Sequence, residues 1–145
     1  MPLEIEETSF EEVNAIHRQI PEFGEEHLEE RYHDRCPDSD PSRLVARENS
    51  EKYGYVVAYD KFGDGSYYVW MAGVKPDYRR EGVMSALVER VLEIADSKKY
   101  EAVKIKTRNE RKAMRHLLIN RGFEVCGYNE KENLDRGEII HIKEL

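Results

Sequence analysis

The chain has only two cysteines, Cys36 and Cys126, in 145 residues. Their wide separation gives neither a disulfide framework nor the close spacing of a zinc site, so both are expected to be free thiols. No apolar run reaches the length that crosses a bilayer, and Met1-Pro2-Leu3-Glu4-Ile5-Glu6-Glu7 has no basic region followed by an apolar one. A soluble cytoplasmic protein without membrane attachment is expected. Positive charge is in deficit, with 23 Lys and Arg against 30 Asp and Glu and a formal charge of -7. That balance argues against general nucleic-acid binding and modestly favours a cationic substrate. His27 and His33 are not at the i, i+4 spacing of a helical metal pair, so no metal is assigned. Glycine is also missing where common phosphate loops need it. A Walker loop ends in Gly-Lys-Ser/Thr and a dinucleotide fingerprint takes three spaced glycines, whereas Gly82 stands alone, and both motifs are excluded.

What is present reads as one domain over residues 1–145, long enough to bury a layered core and free of internal repeats. A short strand at Leu3 to Glu6 precedes Ser9-Phe10-Glu11-Glu12, a capping box for a helix carrying Val13, Ile16 and Ile20 and ended by Pro21. A second helix is expected from Phe23 to about Asp34, with a thin apolar stripe, then a turn at Pro37 to Pro41. Leu44 to Ala46, Tyr53 to Tyr59 and Ser66 to Val74 read as an antiparallel meander. Met84, Leu87, Val88, Val91, Leu92 and Ala95 fall on one helical face, and Val103, Ile105 and Thr107 alternate with lysines as in a strand. A strand, helix and strand in series implies a parallel pair. A helix over Asn109 to Arg121, ended by Gly122, and strands at Phe123 to Tyr128 and Glu138 to Lys143 complete an α+β fold with a mixed sheet.

The stretch from Val74 to Leu87 is the most informative. Pro76 ends a strand, Arg79 and Arg80 follow, and a helix opens at about Gly82. The first N–H groups of a helix have no internal partner and sit at the positive end of its dipole, so they stabilise an anion. The alternative is a basic connection that holds no ligand. The pattern Arg79-x-x-Gly82-x-Met84 after Val74-x-Pro76 resembles the acetyl-CoA loop of the GNAT superfamily of N-acetyltransferases, with Met84 where a small residue is usual. Asn109, Met114, Gly122 and Phe123 resemble a second block of that family, and the element order agrees.

The resemblance implies a GNAT-like sheet of six to seven strands, mostly antiparallel with a splayed parallel pair, flanked by about four helices. It implies acetyl-CoA as co-substrate, held by backbone groups of Ala72, Gly73 and Val74 and of Arg80, Glu81, Gly82, Val83, Met84 and Ser85, with Arg79 or Arg80 on the phosphates. Gly73 marks either a bulge or close approach there, or a plain irregularity. Asn109 is either a pantetheine partner or an ordinary N-cap. The implied activity is direct attack by a primary amine, on a small molecule or peptide, on the thioester. Its usual acid tyrosine is replaced by Leu118, and Tyr67 to Val74 carries no carboxylate. Glu22, His116 and Tyr128 are candidates for the proton carrier, each equally readable as an exposed acid, a solvated helix residue and a packing ring. Glu22, Glu25, Glu26, Glu29 and Glu30 either attract a cationic acceptor or form a solvated face. The competing function is a non-catalytic acyl-CoA-binding regulatory module, and either a monomer or a homodimer is compatible with the closing strands.

Overall fold

The structure, a computed structural model, describes residues 3–23, 27–35 and 40–145. Glu25, Glu26, Cys36 and most of the turn expected at Pro37 to Pro41 lie outside the described residues. Seven strands form one mixed sheet: β1 (Glu4–Glu7), β2 (Ser42–Glu48), β3 (Glu51–Tyr59), β4 (Ser66–Val74), β5 (Ala102–Arg108), β6 (Glu124–Asn129) and β7 (Glu138–Glu144). They lie in the order β1-β2-β3-β4-β5-β7-β6, with β4 and β5 parallel and every other neighbouring pair antiparallel. Four helices flank them: α1 (Phe10–Arg18), α2 (Leu28–Arg35), α3 (Val83–Ser97) and α4 (Lys112–Asn120). This is the GNAT-like α+β architecture that the sequence suggested.

Each helix starts where local chemistry sets it. The Ser9 hydroxyl accepts from the Glu12 backbone N–H at 3.2 Å, capping α1 as the sequence pattern requires. The helix stops at Arg18, and Ile20 is buried in the turn that follows. The second helix begins at Leu28 and not at Phe23, which sits in a turn. The last helix begins at Lys112 behind Arg111, because Asn109 and Glu110 form a turn whose N–H groups donate to the Gly137 and Asp135 carbonyls. Asn109 is therefore not an N-cap.

The sheet separates two cores. On one face Val69, Val103 and Ile105 pack with Val83, Leu87, Val88, Val91, Leu118 and Phe123. On the other, Val57, Tyr59 and Tyr68 pack with Val13, Ile16, Leu28 and Tyr32 of α1 and α2. A bulge joins the two patterns within β4. Val57 is opposite Met71 while the next residue, Ala58, is opposite Val69, so Trp70 is the extra residue. Tyr68, Trp70 and Met71 all pack on the α1 and α2 side, whereas Val69, Ala72 and Val74 pack on the α3 side. The sequence placed a possible bulge at Gly73, which instead keeps regular pairing with Tyr55. Gly73 answers to close approach, since a β-carbon there would lie 2.6 Å from both Ile20 Cδ1 and Phe23 Cε2.

Candidate active site

The parallel pairing of β4 and β5 runs only from Ser66 opposite Ala102 to Val69 opposite Ile105. Beyond it the strands part, and no described strand pairs with Trp70 to Val74 on the β5 side, while β5 continues on β7 as far as Arg108. The break coincides with the bulge at Trp70. A cavity of about 810 Å³ occupies the split and opens to both faces of the sheet, lined by Trp70 to Val74 of β4 and Ile105 to Arg108 of β5. That volume is in the range of small-molecule sites.

At its α3 end an uncapped helix start meets Arg79 and Arg80. Gly82 is the N-cap of α3 in the left-handed region, with φ 81°, and no side chain caps the helix. Open space surrounds Gly82, since a β-carbon there would meet nothing within 4 Å. Arg80 also has positive φ, at 67°, a conformation that costs a non-glycine residue about 1 to 3 kcal/mol and recurs at ligand sites. Left-handed residues thus stand on either side of Glu81 in the turn that leads to the uncapped helix end. Arg79 reaches back, its Nε donating to the Val74 carbonyl at 3.1 Å and a terminal nitrogen lying 2.8 Å from Glu22 Oε2. Met84 packs against the α3-side core and also lines the cavity. A larger residue is tolerated there because its side chain points into the core.

On the α1 and α2 side the walls are Glu22, Phe23, Arg31, Trp70 and Met71, facing Lys106, Arg108 and Arg111. The Arg111 guanidinium lies 5.7 Å over the Phe23 ring and 3.7 Å from Glu22. Tyr78, which also lines the cavity, stacks on Tyr53 at 3.9 Å and donates to Glu51, a bond to a carboxylate that pushes its phenol up to about 12.

The expected site residues divide clearly. Ala72, Gly73, Val74, Arg79, Arg80, Gly82, Val83, Met84 and Ser85 all line the cavity, and Glu22 joins them; Glu81, Asn109, His116 and Tyr128 are not among its lining residues. The side chain of Asn109 donates to the Leu134 carbonyl at 3.2 Å and accepts from Arg115 at 2.9 Å. His116 is exposed on α4, and Tyr128 is exposed on the edge strand β6 beside Gly137. Leu118 is wholly buried in the α3-side core. Phe23, Trp70, Lys106, Thr107, Arg108 and Arg111 were not singled out from the sequence. The period-two polar face of β5 and the lone tryptophan are signals that could have pointed to several of them. Thr107 is 7% exposed and its hydroxyl has no hydrogen-bond partner, so the cavity wall holds an unsatisfied polar group. Among the described residues no group of three or more His, Cys, Asp or Glu is placed to hold a metal, and no helix is long and apolar enough to cross a membrane.

A mixed sheet split between its parallel strands, with an uncapped helix at the mouth of the split, is an acetyltransferase architecture. A sequence profile described as the acetyltransferase (GNAT) family matches residues 10–123, and the chain belongs to that family. Solved structures of similar fold include an IAA acetyltransferase from Bacillus cereus, with TM-score 0.81 and 16% identity over 99% of this chain and 100% of that one. An acetyltransferase from Bacillus subtilis in complex with CoA aligns with TM-score 0.76 and 17% identity over 99% and 97%. A GNAT family acetyltransferase from Elizabethkingia anophelis with acetyl-CoA bound gives TM-score 0.75 and 17% identity over 99% and 98%. No protein of curated function matches the chain.

Proposed function

We propose that the chain, acting as one domain over residues 1–145, is an N-acetyltransferase that moves acetyl from acetyl-CoA to a primary amine by direct attack in a ternary complex. The split between β4 and β5, ending at the uncapped N-terminus of α3, carries this reading. Family membership supports acyl transfer from acetyl-CoA. Two observations favour this donor. The open space at Gly82 leaves room for a diphosphate against the N–H groups of Val83, Met84 and Ser85, and the unpartnered Thr107 hydroxyl offers a polar group to a pantetheine arm. The free edge of β4 from Ala72 to Val74 offers main-chain groups to an extended arm, as strand addition does in peptide recognition.

Acetyl-CoA supplies an activated thioester carbonyl. The protein's part is to hold the amine against it, and positioning can supply about 7 to 11 kcal/mol, whereas a general base typically adds about 10² to 10⁴ in rate. Of the three candidate proton carriers Glu22 alone lines the cavity, which makes it the base we assign. We assign the hydrogen-bond donor for the developing oxyanion to the backbone beside the Trp70 bulge, where β4 has no described partner on the β5 side.

One observation favours a second reading, a non-catalytic acyl-CoA-binding module. Leu118, where family members often carry the acid tyrosine, is buried in the core. A thermal-shift titration with acetyl-CoA tests both, and absence of stabilisation at millimolar ligand removes them together. Thiol release across a broad panel of amines separates them: turnover supports the enzyme, and silence despite tight binding supports the module.

A further inference from the structure

The cavity has two sides, and the charges on the side facing α1 and α2 are chiefly positive. Lys106 and Arg108 project there because they alternate with Ile105, which packs toward α3. Arg111 reaches the same wall from the turn before α4, lying over Phe23. The nearest carboxylates are loose: Glu138 lies 3.7 Å from Lys106, Glu110 lies 3.8 Å from Arg108, and Glu22 lies 3.7 Å from Arg111. Separations of this size lie beyond hydrogen-bonding reach. Among the described residues these three cations make no side-chain hydrogen bond. Lys104, one step earlier on the same face, is by contrast bonded to Asp64 at 2.8 Å.

Among the described residues, the acids that suggested a cationic acceptor leave this wall chiefly positive. Glu25 and Glu26 lie outside the described residues, Glu29 and Glu30 are not among the lining residues, and Glu22 makes its shorter ion pair with Arg79, at 2.8 Å. Resting on the acetyltransferase reading above, we propose that the acceptor is an amine that also carries an anionic group, received by Lys106, Arg108 and Arg111 while the amine points into the split. Planar guanidinium forks suit a carboxylate or a phosphate, and a wall of one sign raises the local concentration of such a molecule.

The test pairs acceptors that differ only in charge. The common amino acids are each compared with their C-terminal amides, and phosphoethanolamine with ethanolamine, by calorimetric titration into protein saturated with CoA. At least one charged member is expected to bind about tenfold or more tightly than its neutral partner, with a preference that weakens as salt is raised. In the double variant Lys106→Gln with Arg108→Gln that preference is expected to shrink to about twofold or less, with CoA affinity serving as the check on folding. A carboxylate and a phosphate are told apart by which arm responds. Equal binding within every pair, no binding by any member, or a preference that survives in the double variant overturns the proposal. Failure to bind CoA at all instead sinks the donor reading, and this inference with it.

Discussion

Glu22 and Arg79 form an ion pair at 2.8 Å that ties the connection between α1 and α2 to the loop opening α3. Both residues line the cavity, Glu22 on the wall proposed for the acceptor and Arg79 in the loop before the helix end proposed for the donor. The same Glu22 oxygen lies 3.7 Å from Arg111, so one carboxylate stands between two cations with different assigned partners.

Removing that carboxylate frees Arg79 for phosphate. Glu22→Gln is expected to tighten acetyl-CoA binding by roughly two- to fivefold, in keeping with a partly exposed pair worth about 0.2 to 1 kcal/mol, and the gain should fade in high salt. If Glu22 is also the base, turnover falls in the same variant. Calorimetry at two ionic strengths, set beside initial rates, reads both effects, and weaker coenzyme binding would contradict the competition.

Gly82 separates backbone strain from ligand chemistry. With φ at 81° and open space around it, Gly82→Ala should cost about 1 kcal/mol of stability and little coenzyme affinity. Gly82→Glu should cost similar stability and in addition lose affinity, because its carboxylate is held where a diphosphate is to sit. Denaturant midpoints and coenzyme titrations of the two variants decide this, and unchanged affinity in the glutamate variant sinks the loop assignment.

At Gly73 the constraint is space. Gly73→Ala sets a methyl 2.6 Å from Ile20 Cδ1 and Phe23 Cε2, and the neighbours must move at a cost of about 1 to 3 kcal/mol. Phe23 also supports Arg111, so the acceptor KM should rise more than the acetyl-CoA KM. A fully stable variant with both constants unchanged contradicts the packing account.

His141 sets a pH dependence. It is 1% exposed, and burial pushes its imidazole below the ordinary value, with the Arg115 charge acting in the same direction. Below about pH 6.5 the unfolded chain therefore binds this proton more readily than the folded one, and stability falls as pH drops from there toward the folded pKa. Glu138 and Asp64 respond at lower pH: burial pushes Glu138 up but Asn129, Lys106 and Lys131 hold it below its usual range, and Lys104 and Ser66 hold Asp64 well below its own. Melting curves near pH 7.5 and 5.5 should show a smaller loss for His141→Gln than for the parent chain. An equal loss in both removes His141 as the cause.

Local chemistry made much of this fold readable. The Ser9 cap, the apolar stripe from Met84 to Ala95 and the alternation from Val103 to Thr107 each record a short-range preference in residue type, and the strand, loop and helix around Gly82 followed from them. Long-range facts were not recorded in that way. The bulge at Trp70 arises from pairing with β3, and nothing in Tyr67 to Val74 marks which residue is extra. The delayed start of α4 depends on carbonyls at Asp135 and Gly137, more than twenty residues downstream. For the candidate site, the loop and helix start from Arg79 to Ser85 lie within one contiguous segment and were legible as structure, whereas Phe23, Trp70, Lys106 and Arg111 meet only through tertiary packing.

The bulge at Trp70 divides β4 into two reading frames. Before it, even-numbered residues face α1 and α2; after it, odd-numbered residues do. Losing the extra residue would restore plain alternation, leave Gly73 against Ile20 and Phe23, and remove the irregularity at which β4 parts from β5. The spacing of this segment is thus constrained more tightly than its composition, and homologues are expected to vary in side chains there while keeping its length.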